Sequence, residues 1–222
     1  MAFDLETTGV DPQQDRVVTA AVLHIDPRDG QVDTYSWLLN PGVDIPEQAT
    51  GVHGITTEHA VEYGREPAGA LLEIAAHIGH AANTGAPLVV YNAPYDLTML
   101  HAECARHDTV APAVGPVIDP LVIDRGLDRY RPGSRRLTAT AAHYGVALSD
   151  DEAHGASADA LAAARVAWKL ATGYPEQLGT ATLDDLQQQQ ATWHDEWAAG
   201  FEQYLKRQGR SDADIPRGWP TR

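Results

Sequence analysis

Apolar and polar positions along the chain switch between a two-residue and a three-to-four-residue rhythm, and the switches predict its elements. Met1-Ala2-Phe3 leads into Asp4-Leu5-Glu6 and the run ends at Thr7-Thr8-Gly9, a first strand. Residues 16–26 (RVVTAAVLHID) and 30–42 (GQVDTYSWLLNPG) read as two further strands joined as a hairpin, so the three are expected as antiparallel neighbours. Residues 45–56 predict a loop with a short helix. Leu71, Leu72, Ala75, Ile78 and Ala82 fall at helical spacing in residues 67–82, behind Pro67. A short buried strand over 87–91, a helix over 95–107 and a fifth strand over 115–119 follow. A short helix over 137–144 stops at Gly145, and a strong helix over 157–171 takes Ser157 as its N-cap. This order predicts an α/β fold, a mixed sheet flanked by helices.

Tyr174-Pro175 marks a boundary, which divides the chain into a domain over 1–173 and a helical C-terminal extension over 174–222. In the extension Leu183, Leu186, Gln190, Trp193, Trp197, Phe201 and Tyr204 recur at helical steps, an aromatic-rich stripe. Such a stripe either packs back on the domain or offers a surface to a polymerase or repair protein. The tail after it is polar and contains prolines, an end either ordered by packing or loose.

Composition narrows the class. The chain has 222 residues and 43% hydrophobic content, enough for a sizeable core. Its single cysteine, Cys104, excludes an internal disulfide framework and reads as a small core residue. No signal-like start and no long apolar run stand out, so a cytoplasmic protein without membrane contact is expected. A net charge of −15 argues against a broad basic face for duplex nucleic acid, but not against an enzyme that grips a few nucleotides through metal ions. The exception to the acidic trend is residues 124–137, with Arg125, Arg129, Arg131, Arg135 and Arg136. That stretch reads either as a phosphate-binding loop, with Arg135 and Arg136 toward the substrate, or as a solvated loop with internal Asp–Arg pairs.

Candidate chemistry begins at the first strand. Asp4 and Glu6 are two residues apart and so point to one face, where two carboxylates repel and resist desolvation. A divalent cation between them would remove that cost. Asp96 follows a strand and starts a helix, Asp159 lies in the first turns of another, and His154 sits five residues before it. Taken singly, these read as a solvated turn, two acids favoured at helix starts and a loop histidine. Taken together, they make four carboxylates and one imidazole.

In order and spacing, FDLETTG (3–9), GVHGIT (51–56), NAPYD (92–96) and HGASAD (154–159) resemble the DEDDh 3′–5′ exonuclease family over residues 1–172. The resemblance implies a ribonuclease H-like fold and a magnesium- or manganese-dependent nuclease with two ions per site. It also implies release of nucleoside monophosphates from single-stranded 3′ ends, DNA more than RNA, in proofreading or repair. Asp4, Glu6, Asp96 and Asp159 would hold the ions, Asp96 mainly through water, His154 would be the general base, and Thr7 and Thr8 would lie near the terminal 3′ hydroxyl. His53 belongs to the matched GVHGIT stretch, where a structural role is expected. Two features depart from the family pattern: only three residues precede Asp4, and Tyr91 stands where many relatives carry His. An exoribonuclease, a non-catalytic binding module of a polymerase or repair complex, and a homodimer stay open.

Overall fold

The computed structural model describes residues 1–148 and 155–222. Strand β1 (Ala2–Thr7) pairs antiparallel with β2 (Val17–Ile25), and β2 pairs antiparallel with β3 (Val32–Leu38), as the hairpin pattern predicts. The chain then crosses over through α1 (Glu47–His53), α2 (Thr57–Tyr63) and α3 (Pro67–Thr84) to β4 (Leu88–Val89), parallel to β1. Helix α4 (Ala93–Arg106) leads to β5 (Val117–Ile118), parallel to β4. The five strands lie in the order β3-β2-β1-β4-β5, which puts β1 at the centre. Helices α5 (Pro120–Leu127), α6 (Leu137–His143), α7 (Ala156–Gly173), α8 (Pro175–Leu178) and α9 (Leu183–Arg207) complete the described chain.

Side-chain alternation along β1 gives the sheet two different faces. Phe3 and Leu5 point into one core with Leu71, Ile74 and Ile78 of α3 and Leu97 and Leu100 of α4. Ala2 points to the other, with Ala21, Leu23, Ala156, Ala160 and Ala163. Alanines on both α7 and the sheet let that helix approach closely, so its first turn reaches the end of β1.

Several expectations need correction. Residues 120–127 form a helix rather than the start of a loop, because Asp119 caps it through Leu121 N–H (3.0 Å) and Pro120 sits at the first helical position. A second helix, α2, follows α1 behind the Thr56 cap. Ser157 is not the cap of α7; Gly155 holds that place and the helix has begun at Ala156. Leu72 is 53% exposed, and the buried face of α3 runs through Leu71, Ile74 and Ile78 instead. On α9 the buried residues are Gln190, His194 and Ala198, which leaves Phe201 and Tyr204 of the aromatic stripe at 39% and 50% exposure.

Helix α9 packs back on the sheet edge. Strand β5 would otherwise present unpaired backbone groups, and two glutamines pair them. Gln187 Oε1 accepts Val117 N–H (2.8 Å). Gln190 Oε1 accepts Asp119 N–H (2.7 Å), and its Nε2 donates to Val117 O (2.9 Å). Close approach of α9 to α5 needs Gly126, since a Cβ there would lie 2.1 Å from the Trp193 ring. The tail also packs: Ala213 is buried and Trp219 borders the main core.

Gln190→Ala strands one buried N–H and one buried C=O, each costing about 1–3 kcal/mol, whereas Gln187→Ala strands a single N–H. Urea denaturation is expected to show a clearly larger loss for Gln190→Ala. Equal losses would mean that the two amides do not act as edge partners.

Candidate metal centre and its cleft

The end of β1 places Asp4 and Glu6 on the α7 side of the sheet, where the first turn of α7 presents Asp159. One carboxylate oxygen from each lies within 4.8 Å of the others. A bulge between Glu6 and Thr7 ends the regular pairing at this point. Burial holds the Asp4 carboxyl well above the usual range, and repulsion from Asp96, Glu6 and Asp159 adds to it. Glu6 is pushed up to about 7, by burial and then by Asp159. Asp96, 3% exposed, lies outside that 4.8 Å group but lines the same cleft, and it accepts Leu5 N–H (3.1 Å), which ties α4 to β1. Burial raises its carboxyl although that bond pulls the other way. The trio fits a hard divalent cation: all its donors are oxygens, and a positive charge among them would reverse both burial cost and repulsion. His154 lies outside the described residues.

Neighbouring side chains hold this end of β1 in place. Thr7 Oγ1 donates to Gly9 O (2.7 Å) and meets the Tyr95 hydroxyl, which also donates to Gly9 O (2.8 Å). Thr8 Oγ1 donates to Asp15 Oδ1 (3.1 Å) and accepts Arg16 N–H (3.0 Å). Both threonines are buried, and both border a hollow beside Glu6. His53 borders that hollow too; its Nδ1 accepts Ile55 N–H (3.1 Å), a bond that fixes the turn after α1. Asn92 opens α4 in the left-handed conformation (φ 65°), with its N–H donating to Asp119 Oδ1 (3.0 Å) and Ala93 N–H to Oδ2 (2.9 Å).

The carboxylates sit in a cleft of about 650 Å³ whose lining also includes Arg125, Arg135 and Arg136. The arginine-rich stretch therefore has two jobs. Arg131 makes a bidentate pair with buried Asp124 (3.1 and 2.9 Å), and Arg135 reaches Asp124 Oδ2 (2.5 Å) and Asp128 O (2.5 Å). Burial pushes the Asp124 carboxyl up, but Arg131, Tyr144 and Arg135 outweigh it and hold the carboxyl below its ordinary value. Tyr91 completes this knot, donating to Arg135 O (2.7 Å) and Thr140 Oγ1 (2.8 Å). Arg136 is exposed. Sequence reasoning did not foresee that α9 and the tail reach the cleft, through Trp197 and Pro216. The aromatic stripe was the available signal, but its orientation depends on long-range packing.

A mixed five-stranded sheet with carboxylates gathered at the end of its central strand defines an α/β domain with a candidate metal centre. The chain belongs to the exonuclease family of RNase T type, which it matches over residues 1–167. It is 30% identical over 176 residues to DNA polymerase III subunit epsilon of Rickettsia conorii, covering 77% of this chain and 73% of the relative. The epsilon-like protein of Rhodobacter capsulatus is 30% identical over 177 residues, and here the chain spans only 23% of the relative's length. Among solved structures, E. coli exonuclease I in complex with a dT13 oligonucleotide superposes with a TM-score of 0.65 at 22% identity, covering 80% of this chain and 41% of that one. Exonuclease I from Methylocaldum szegediense gives 0.62 at 22% identity, covering 79% and 40%. These superpositions establish the ribonuclease H-like fold.

Two outcomes are expected. Asp4→Asn removes one of the repelling charges, so it should raise the melting temperature of metal-free protein and shrink the further rise that magnesium gives the wild type. A lower metal-free melting temperature with an undiminished magnesium response would contradict the cluster's reading as a metal centre. For Asp124 the folded-state value is depressed, so its contribution is present above the ordinary carboxylate range and is lost as pH falls through that lower value. Arg131→Ala should accordingly narrow the stability gap to wild type as pH drops below about 4. A gap that stays constant from neutral pH to pH 3 would show that the pair is not what distinguishes them.

Proposed function

We propose that the protein is a metal-dependent 3′–5′ exonuclease that removes nucleoside monophosphates from single-stranded DNA. The observation that supports this most is the convergence of Asp4, Glu6 and Asp159 in a cleft whose lining also carries arginines. Two Mg²⁺ or Mn²⁺ ions held by Asp4, Glu6 and Asp159, with Asp96 beside them, would supply charge neutralisation at the scissile phosphate. His154 takes a proton from the attacking water, a task suited to an imidazole that titrates near neutral pH. Thr7 and Thr8, beside Glu6, position the terminal nucleotide near its 3′ hydroxyl. Arg135 and Arg136 attract the phosphate backbone, Arg136 being the freer of the two because Arg135 also braces Asp124. The epsilon relatives support a place in DNA replication or repair in the cytoplasm, with a polymerase as partner. No helix among the described residues is long and apolar enough to cross a membrane.

Matched 5′-labelled DNA and RNA single strands test the proposal. With magnesium or manganese, a ladder shortening from the 3′ end is expected, and it should vanish with chelator and with Asp4→Ala/Glu6→Ala. His154→Ala should lower the rate by about 10²–10⁴-fold, the usual worth of a general base, while keeping the metal-induced stabilisation. A faster ladder on RNA would transfer the proposal to an exoribonuclease. A folded, metal-binding wild type that gives no ladder on either strand would refute it and favour a binding module.

A further inference from the structure

The cleft does not end at the carboxylates. Arg125, on α5, lies with its guanidinium carbon 3.8 Å from the centre of the Trp197 ring, and both residues line the cleft. Unlike Arg131 and Arg135, Arg125 makes no ion pair among the described residues. Trp197 continues into a row along α9. Phe201 stacks on it with ring centres 5.5 Å apart and planes within 14°, and Tyr204 follows at 6.4 Å and 14°. The row continues along α9 from the cleft-lining Trp197, and its last two members are 39% and 50% exposed. Seven residues of helix span roughly 10 Å, which is the reach of the row along α9.

Neither half of this arrangement is explained by packing. Arg125 feels the buried Asp119 and Asp124 carboxylates without an ion pair to either, and those carboxylates are filled by other donors, so its charge is still available to a ligand. Three flat rings at one tilt, two of them exposed on an otherwise acidic helix, are poor use of aromatic surface in a monomer. Single strands are bound by this pairing of features: cations for the backbone and aromatic faces for successive bases. The nearby charges agree. Arg217 is taken up by Asp195 and Glu202, and Lys206 by Glu202, so the cations toward the inner end are those that line the cleft, Arg125 on Trp197 itself with Arg136 and Arg222 in the same lining.

We propose that Arg125 and the Trp197–Phe201–Tyr204 row form the track for the nucleotides upstream of the scissile one, Arg125 taking a backbone phosphate and the rings stacking bases. The C-terminal helix is then part of the substrate site, and it makes the enzyme prefer longer single strands over very short ones. This rests on the exonuclease reading and adds to it a length dependence.

The test compares kcat/KM for a thymidine dinucleotide with that for an oligomer of about eight thymidines. Phe201→Ala/Tyr204→Ala and Arg125→Gln should each cost about tenfold more on the long substrate than on the short one, mainly through KM. Arg125→Gln should also flatten the salt dependence of long-substrate affinity by about 0.7 in logarithmic slope, the worth of one single-strand phosphate contact. Equal losses on both lengths, or none on either, would overturn the track. Should Arg125→Gln fail to fold, the Phe201 and Tyr204 pair decides alone, since both side chains are substantially exposed. Should wild type cleave neither substrate, the exonuclease reading fails separately. Fluorescence anisotropy of the labelled long oligomer, in chelator and on an Asp4→Asn/Glu6→Gln background, then decides the track. Binding weakened about tenfold by the ring substitutions supports it, and binding unaffected by them, or no binding, overturns it.

Discussion

The carboxylate of Asp119 is the constraint on which the rest of the structure depends. It is fully buried, and burial alone would drive it toward the neutral form. Backbone N–H groups oppose that: Asn92 and Ala93 at the start of α4, Leu121 and, at 3.4 Å, Val122 at the start of α5. The Trp219 indole adds a long contact from the tail (3.4 Å), and the residue's own N–H goes to Gln190 of α9. One residue thus joins two helix starts, the sheet edge, α9 and the tail. A buried carboxylate is costly unless its lone pairs are filled, and here nearly every donor that fills them is backbone. The turn that carries Asn92 into its left-handed conformation is held at both amides, and α4 therefore leaves β4 at the angle that delivers Asp96 to Leu5.

The same logic, with opposite sign, shapes the site. Asp119 is satisfied by fixed donors, whereas Asp4 and Glu6 are crowded by further acids and pushed up. The fold needs the first kind of carboxylate and tolerates the second. Small residues make that tolerance a matter of geometry: Ala156, Ala160 and Ala163 seat α7 tightly on Ala2 and Ala21, so Asp159 is brought in by packing rather than by any attraction to the acids it meets. Stability in this region is given up to hold a charge arrangement that a folded chain would otherwise avoid.

What was legible in the sequence followed from local rules. Alternation put Asp4 and Glu6 on one face, and the helix expected over 157–171 put Asp159 in its first turns. The antiparallel neighbourhood of the first three strands followed from hairpin spacing, and the mixed sheet with helices on its faces from the order of elements; the place of β1 at the centre did not. What was not legible depended on distant partners. The full role of Asp119 was hidden because, beside its two local donors, others lie 26 residues before it and 100 residues after it, at Ala93 and Trp219. Helix α5 was hidden by the arginines that follow it, although Asp119-Pro120 carries a cap and a first-turn proline. The stripe on α9 had the right period, but its buried line runs through Gln190, His194 and Ala198, since the sheet edge demands amides rather than apolar contact.

That demand explains the position of the extension. A helix docked on a sheet edge through Gln187 and Gln190 is fixed in rotation as well as position, because an amide that must donate and accept along a strand has one orientation. Fixing Gln190 inward fixes Trp197, seven residues later and on the same side of the helix, toward the cleft. Phe201 and Tyr204 continue the row from Trp197 along α9. The hydrogen bonds that close the sheet therefore also set where the aromatic row points. In a chain of net charge −15, they place it beside the one arginine-rich stretch, so an acidic protein presents cations and rings where its carboxylates are gathered.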